Sequence, residues 1–167
     1  MNGTHGLAKH YDMVVIGSGA AGHHGAVQAA KLGKKVAVVE QSTALGGASI
    51  NTGTIPSKTL REAVLRATRS GLTDHRISAS DLAQRIEEVA SKEVRVFESQ
   101  FRRNDIDVLI GTASFVSGPH TIRVANQEGE QFCDADYVLI ATGSRPAHND
   151  AIPGMVSLSS IRMRFAG

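Results

Sequence analysis

The chain has 167 residues and one cysteine, Cys133, so no disulfide can form within it and nothing in it calls for an oxidising compartment. No apolar run approaches the ~20 residues of a membrane-spanning helix, and the N-terminus lacks the apolar core of a secretory signal. Neither sign of charge dominates: 18 Lys and Arg against 16 Asp and Glu leave a formal charge of +2, and the basic residues are scattered rather than blocked. These absences lead us to expect a cytoplasmic protein with no membrane and no nucleic-acid partner. Apolar residues at 41% and charged residues at 20% are the balance of a globular chain, long enough for one domain with a sizeable core.

What is present is concentrated between Met13 and Glu40. Met13, Val14, Val15 and Ile16 form an unbroken apolar run, as expected of a parallel strand covered on both faces. Gly17-Ser18-Gly19-Ala20-Ala21-Gly22 follows directly, and a proline-free stretch from His23 to Leu32, with Ala26, Ala29 and Ala30, predicts a helix with a small-residue face. Gly33 stops it, and Val36 to Val39 predict a second buried strand that ends on Glu40. This pattern suits a dinucleotide. The first glycine permits a tight turn, the second lets a pyrophosphate approach the backbone, and the third lets helix and strand pack closely. The helix start turns free N–H groups and the positive end of its dipole toward the phosphates. Glu40 lies 40 − 22 = 18 residues beyond the third glycine, close to the spacing at which a carboxylate accepts hydrogen bonds from a ribose. A carboxylate there disfavours a 2′-phosphate, so NADP is not the expected occupant.

Further along, Gln41 to Leu45 read as a loop, and Gly46 to Lys58 mix glycine, proline and small hydroxyl residues in a composition that lets backbone approach a flat ligand. Thr59 to Ser70 predict a helix, Gly71 to Ser78 a polar connection, and a long helix capped by Ser80 or Asp81 runs to about Arg103. Its stripe of Leu82, Ile86, Val89, Ala90, Val94, Phe97 and Phe101 reads as core. Ile106 to Ile110 predict a third parallel strand, Thr112 to Tyr137 a small antiparallel meander, and Tyr137 to Ile140 another buried strand ending in Ala141-Thr142-Gly143. His23 and His24 are adjacent with no third ligand nearby, so no metal is expected and both read as surface or first-turn polar residues. Cys133, in the meander, reads as a packing or surface thiol.

Together, Val14 to Gly22, Glu40, Gly46 to Lys58 and Ala141-Thr142-Gly143-Ser144-Arg145-Pro146 resemble the FAD domain of the pyridine nucleotide-disulphide oxidoreductases. Within that family, Asn51 to Leu65 are most similar to the soluble pyridine nucleotide transhydrogenase branch. The resemblance implies an α/β, Rossmann-like FAD/NAD(P)-binding fold: a central parallel sheet with helices on both faces plus a small antiparallel β-meander. It implies FAD as cofactor and hydride transfer from NADPH through FAD to NAD⁺. Residue by residue, Gly17, Ser18, Gly19, Ala20, Ala21 and Gly22 would face the FAD pyrophosphate, Glu40 would hold the ribose and Gln41 would border the adenine. Gly46, Gly47, Ala48 and Ser49 would line the flavin and its phosphates, and Lys58 would lie near its reactive edge. Ala113 would meet the adenine through its backbone, and Thr142 and Gly143 would make a second contact with the flavin nucleotide.

Ser49 and Thr54 stand where the disulphide reductases of the family carry their cysteine pair. A Ser or Thr alkoxide does not form at accessible pH as a thiolate does, so dithiol exchange is excluded at this site. The transhydrogenase branch needs no such pair. The nicotinamide unit, return segment and dimerisation domain of the longer, homo-oligomeric family members are not seen. Residues 1–10 are expected to form a polar tail, 11–147 an incomplete FAD domain, and 148–167 an irregular tail reflecting truncation or a frame change near Pro153. The alternatives are a non-catalytic dinucleotide-binding fragment, and a dihydrolipoamide dehydrogenase or mercuric reductase relative that has lost its cysteines.

Overall fold

The computed structural model describes residues 8–69, 78–116 and 118–144. Residues 1–7 of the expected 1–10 tail, the whole expected tail 148–167, Arg145, Pro146 and Ala147, and most of the 71–78 connection lie outside these residues. The elements run β1 (Lys9–Ile16), α1 (Ala20–Lys31), β2 (Val36–Glu40), α2 (Gly47–Asn51), α3 (Thr54–Arg69), α4 (Ala79–Arg103), β3 (Asp107–Ile110), β4 (Thr112–Phe115), β5 (Thr121–Asn126) and β6 (Gly129–Ile140). They build one six-stranded sheet in the order β3-β2-β1-β6-β5-β4. The first four strands are parallel, and β4 and β5 add to β6 as an antiparallel meander. The fold is thus the expected α/β class with an antiparallel meander, but among the described residues helices pack on one face of the sheet rather than on both.

Alternation along the parallel strands sends side chains to two faces. Val15, Val36 and Val38 join Ala26, Val27 and Ala29 of α1 and Phe101 of α4 in one cluster. Val14, Ala37 and Val39 join Ile122 and Val124 of β5, Cys133 and Ala135 of β6 and Tyr11 in the other. The second face is therefore covered, among the described residues, by the meander. The connection explains how: β3 and β4 sit at opposite ends of the strand order yet are separated only by Gly111, so the meander must fold back across the sheet. Gly111 N–H donates to the Glu40 carbonyl at 2.8 Å, which fixes that return at the end of β2.

Several boundaries differ from the sequence expectation. β1 starts at Lys9, four residues before the apolar run. Tyr11 and Val14, three apart, face the same cluster, and the N–H groups of Asp12 and Met13 both donate to Lys35 O, so the strand is irregular at Asp12 and its alternation is masked. The third meander strand and the Tyr137–Ile140 strand are one continuous β6, pairing with β5 through its first half and with β1 through its second. Gly46 to Lys58 is not all loop: it contains α2 and the first turn of α3, where Pro56 is tolerated because early N–H groups have no intrahelical partner. The cap of α4 is Ser78, in a reciprocal box in which Asp81 N–H donates to Ser78 Oγ at 3.1 Å and Ser78 N–H to Asp81 Oδ2 at 3.3 Å. α4 packs mainly on α3, while Phe97 and Phe101 of its stripe reach the first cluster, and only Phe101 in that helix is fully buried.

At the amino end of the sheet, Asp107 accepts hydrogen bonds from Lys9 Nζ at 2.7 Å and Tyr11 Oη at 2.8 Å, tying β1 to β3 across β2. Burial, then the Asp107 hydrogen bond, pushes the Tyr11 phenol up to about 12, while the Lys9 hydrogen bond holds the Asp107 carboxyl below its ordinary value.

Candidate functional site

The opposite, carboxyl end of the sheet gathers the glycine turns. β1 is followed by Gly17, whose N–H donates to Val39 O at 2.8 Å, and Ala141 N–H donates to Ile16 O at 2.8 Å. The turn after β1 is thereby pinned between the ends of β2 and β6. β1 is also where the strand order reverses, since the chain proceeds to β2 and β3 on one side and returns as β6 on the other. In open α/β sheets this is where ligands bind.

Each glycine of the turn has a distinct neighbourhood. Gly17 has φ +106°, and a β-carbon on it would collide with the Ala141 carbonyl. One on Gly22 would collide with the Gly17 carbonyl, so the third glycine lets α1 lie against the turn. A β-carbon on Gly19 would meet nothing within 4 Å. Open space therefore lies above the second glycine, at the start of α1, whose first turn carries no side-chain cap and no acidic residue. That arrangement leaves N–H groups and the positive end of the helix dipole for an anion.

Glu40 is buried beside this turn, 9% exposed. One carboxylate oxygen accepts from Ser18 N–H at 2.9 Å and Ser18 Oγ at 2.7 Å, and the other from Ser42 N–H at 3.0 Å. Ser18 is fully buried, and its Oγ in turn accepts from Gly46 N–H at 3.0 Å. The second glycine turn is thus bonded to the first through one hydroxyl, and a β-carbon on Gly47 would come 2.9 Å from Gly19 Cα. Sequence spacing identifies Glu40 and the glycines but not this Ser18 bridge. Its only local signal is a small hydroxyl residue between two glycines.

The structure brings together Gly17, Ser18, Gly19, Ala20, Ala21, Gly22, Glu40, Gly46, Gly47 and the Ala141–Thr142 backbone. Gln41 is exposed at the start of the following loop, and Ala48 and Ser49 continue into α2, where Ser49 Oγ donates to Gly46 O at 3.2 Å. Ala113 lies on β4, paired with Val124 and packed on the second cluster. Gly143 follows β6 with φ +74°. Thr54 opens α3, and Lys58, exposed, lines a different concavity: a groove of about 230 Å³ between α3 and α4, shared with Glu62, Arg66, Arg85 and Val89.

The histidines divide. His24 is exposed and its Nδ1 lies 2.7 Å from Ala20 O. His23 corrects the surface expectation: it is 5% exposed, its ring stacked on Phe97 at 3.9 Å between centroids and close to Phe101 at 5.2 Å. The α1 face that meets α4 is wider than alanine spacing alone indicates. Cys133 is buried, with its thiol pushed up by burial and then by Asp134, as suits a packing role. Among the described residues no group of three or more His, Cys, Asp or Glu could hold a metal. No helix among them is long and apolar enough to cross a membrane.

A family model described as pyridine nucleotide-disulphide oxidoreductase matches residues 11–164. The soluble pyridine nucleotide transhydrogenase of Mycobacterium tuberculosis is 45% identical over 155 residues, covering 86% of this chain and 33% of that protein. The Vibrio parahaemolyticus protein of the same name is 39% identical over 148 residues, 83% of this chain and 31% of that protein. Among solved structures, the Cu(II) complex of the HOCl-induced flavoprotein disulfide reductase RclA from Escherichia coli superposes with a TM-score of 0.75 at 32% identity, over 86% of this chain and 31% of that one. The chain spans about a third of the length of the curated relatives it matches.

Proposed function

The chain belongs to the pyridine nucleotide-disulphide oxidoreductase family, and we propose that it is the FAD-binding portion of a flavin-dependent oxidoreductase of the soluble transhydrogenase kind. The observation that carries this is the junction at the carboxyl end of β1: open space over Gly19, an uncapped α1 start and a buried carboxylate beside them. These residues fit a dinucleotide. Ala20, Ala21 and Gly22 offer N–H groups to a pyrophosphate, and the turn contains no acidic side chain to repel it. A carboxylate has roughly four acceptor positions, and Glu40 uses three on Ser18 and Ser42. It keeps one for a ribose hydroxyl.

FAD bound there would supply hydride exchange with nicotinamide cofactors. The chain's own residues would bind and orient: Gly46 and Gly47 bring a second backbone turn to the first, and Thr142, just past β6, borders Gly17 with Gly143 next in the chain. The family resemblance implies Lys58 as a cation near the flavin, where positive charge favours the reduced form, although its side chain here lines the α3–α4 groove. Ser49 and Thr54 offer no thiolate, which supports a transhydrogenase-type reaction over dithiol exchange. Transhydrogenation itself belongs to the longer relatives, and for this chain the proposal is flavin binding.

The test is the visible spectrum of the purified protein, with any released cofactor identified after denaturation. Flavin absorption at near-equimolar FAD is expected, weakened by Glu40→Ala and Lys58→Met. A colourless protein that takes up no added FAD overturns the proposal. Turnover of an NAD⁺ analogue with NADPH then separates a working oxidoreductase from a binding module.

A further inference from the structure

Buried polar atoms in folded proteins nearly always have partners, so an exception needs a physical account. His23 is such an exception: neither ring nitrogen makes a hydrogen bond of ordinary geometry, although the side chain is 5% exposed. Its position is equally specific. The His23 N–H donates to Gly19 O at 2.8 Å, closing the first turn of α1 directly over the second glycine of the phosphate-facing turn. Its ring lies on Phe97, tilted 30°, and against Phe101, the one fully buried residue of α4. A neutral imidazole can stack there as an aromatic. An imidazolium would bring a charge into a largely apolar contact with only the neutral Gln100 amide beside it.

We propose that His23 is a positioning residue, an acid-labile latch that holds the phosphate-facing start of α1 against the C-terminal part of α4 while neutral and releases it when protonated. The consequence for cofactor binding rests on the flavin reading above, whereas the latch itself does not. The facing groups favour the neutral ring. On α1 the titratable neighbour is His24, edge-on at 5.3 Å, and α4 brings Phe97, Phe101 and Gln100, none of them charged. Burial, then His24, lowers the His23 pKa, and Gln100 partly offsets them. The sign follows. Above the unfolded histidine value of about 6.5 both states are neutral and the latch is closed; below it the unfolded chain takes up the proton first, so stability falls with pH until the folded-state value is passed.

The 167-residue chain would be unfolded with urea between about pH 7.5 and 5 as wild type, His23→Phe and His23→Met. Below about pH 6.5 the wild-type folding constant should fall faster than that of either variant, by up to about tenfold per pH unit, the limit for one proton. Parallel pH slopes in wild type and a folded variant overturn the latch. Should both variants fail to fold, proton NMR of the wild type decides, since His23 should titrate below the ordinary histidine value of about 6.5, and a midpoint at or above that value overturns it. FAD affinity should drop more steeply with acid in wild type than in His23→Phe. An absence of FAD uptake at every pH refutes the flavin reading, and unfolding and NMR still decide the latch.

Discussion

Residues 8–50 and the α3–α4 arm carry opposite kinds of order. Every residue of β2 is buried, and the turn between β1 and α1 is held by backbone bonds to β2 and β6 and by the Glu40–Ser18–Gly46 chain of hydrogen bonds. The arm contributes 16 residues in α3 and 25 in α4, yet among the described side chains only Pro56 and Phe101 are buried. Its helices pack chiefly on each other. A site meant to hold a cofactor needs fixed donors, and these come from the region where strands, not helices, set the backbone. The arm is fastened to that region by its end, through Phe101, Phe97 and His23.

The sharpest way to break that contrast is to cut the fastening. Phe101→Ala removes a side chain 1% exposed at the point where α4 meets the sheet. We expect a loss of about 3–5 kcal/mol in urea unfolding. Amide exchange in α4 should rise well before exchange in β1 and β2. Uniform exchange across both regions would show instead that the arm and the sheet unfold as one unit.

The sequence announces these two regions unequally, for a physical reason. Val14 to Gly22 and Val36 to Glu40 are legible because a covered parallel strand must be continuously apolar and a tight turn must use glycine. Lys9 to Asp12 are not, because the irregularity at Asp12 breaks the alternation. α4 is legible as a helix from its spacing, but spacing cannot say that its partner is α3 rather than the sheet. His23 is illegible altogether: a histidine beside a histidine at a helix start looks polar, and its burial depends on two phenylalanines more than 70 residues away. In the site, Glu40 and the glycines follow from spacing, while the Ser18 bridge to Gly46 depends on a contact 28 residues distant.

A smaller effect tests the rigid region from within. Gly22→Ala would press a β-carbon into the Gly17 carbonyl, which must move for α1 to stay in place. Overpacking of this kind costs about 1–3 kcal/mol, with exchange faster in the turn and α1 and little changed in α3. Glu40→Gln should follow at about 1–3 kcal/mol. An amide at 40 can still accept from Ser18 or from Ser42 but turns an NH₂ group toward one of them. Unchanged stability in Glu40→Gln would mean that the network is held by its hydroxyl and backbone members without the carboxylate.

The smallest structural effect is the most informative about function. Gly19→Ala adds a β-carbon where nothing lies within 4 Å, at a backbone of φ −62° and ψ −178° that alanine adopts without strain. Two opposing terms remain. Alanine is a poorer N-cap than glycine, but it also restricts the unfolded chain, worth about 0.4–1 kcal/mol in favour of folding. The sum should lie within about 0.5 kcal/mol of zero, against the larger loss in Gly22→Ala. If the open space over Gly19 is where a pyrophosphate comes against the backbone, the same methyl group should weaken FAD binding at least tenfold in a flavin titration. Stability retained with affinity lost would assign the two glycines separate tasks, one to the fold and one to the ligand. Stability and affinity both retained would mean that the space over Gly19 is not where the phosphates sit.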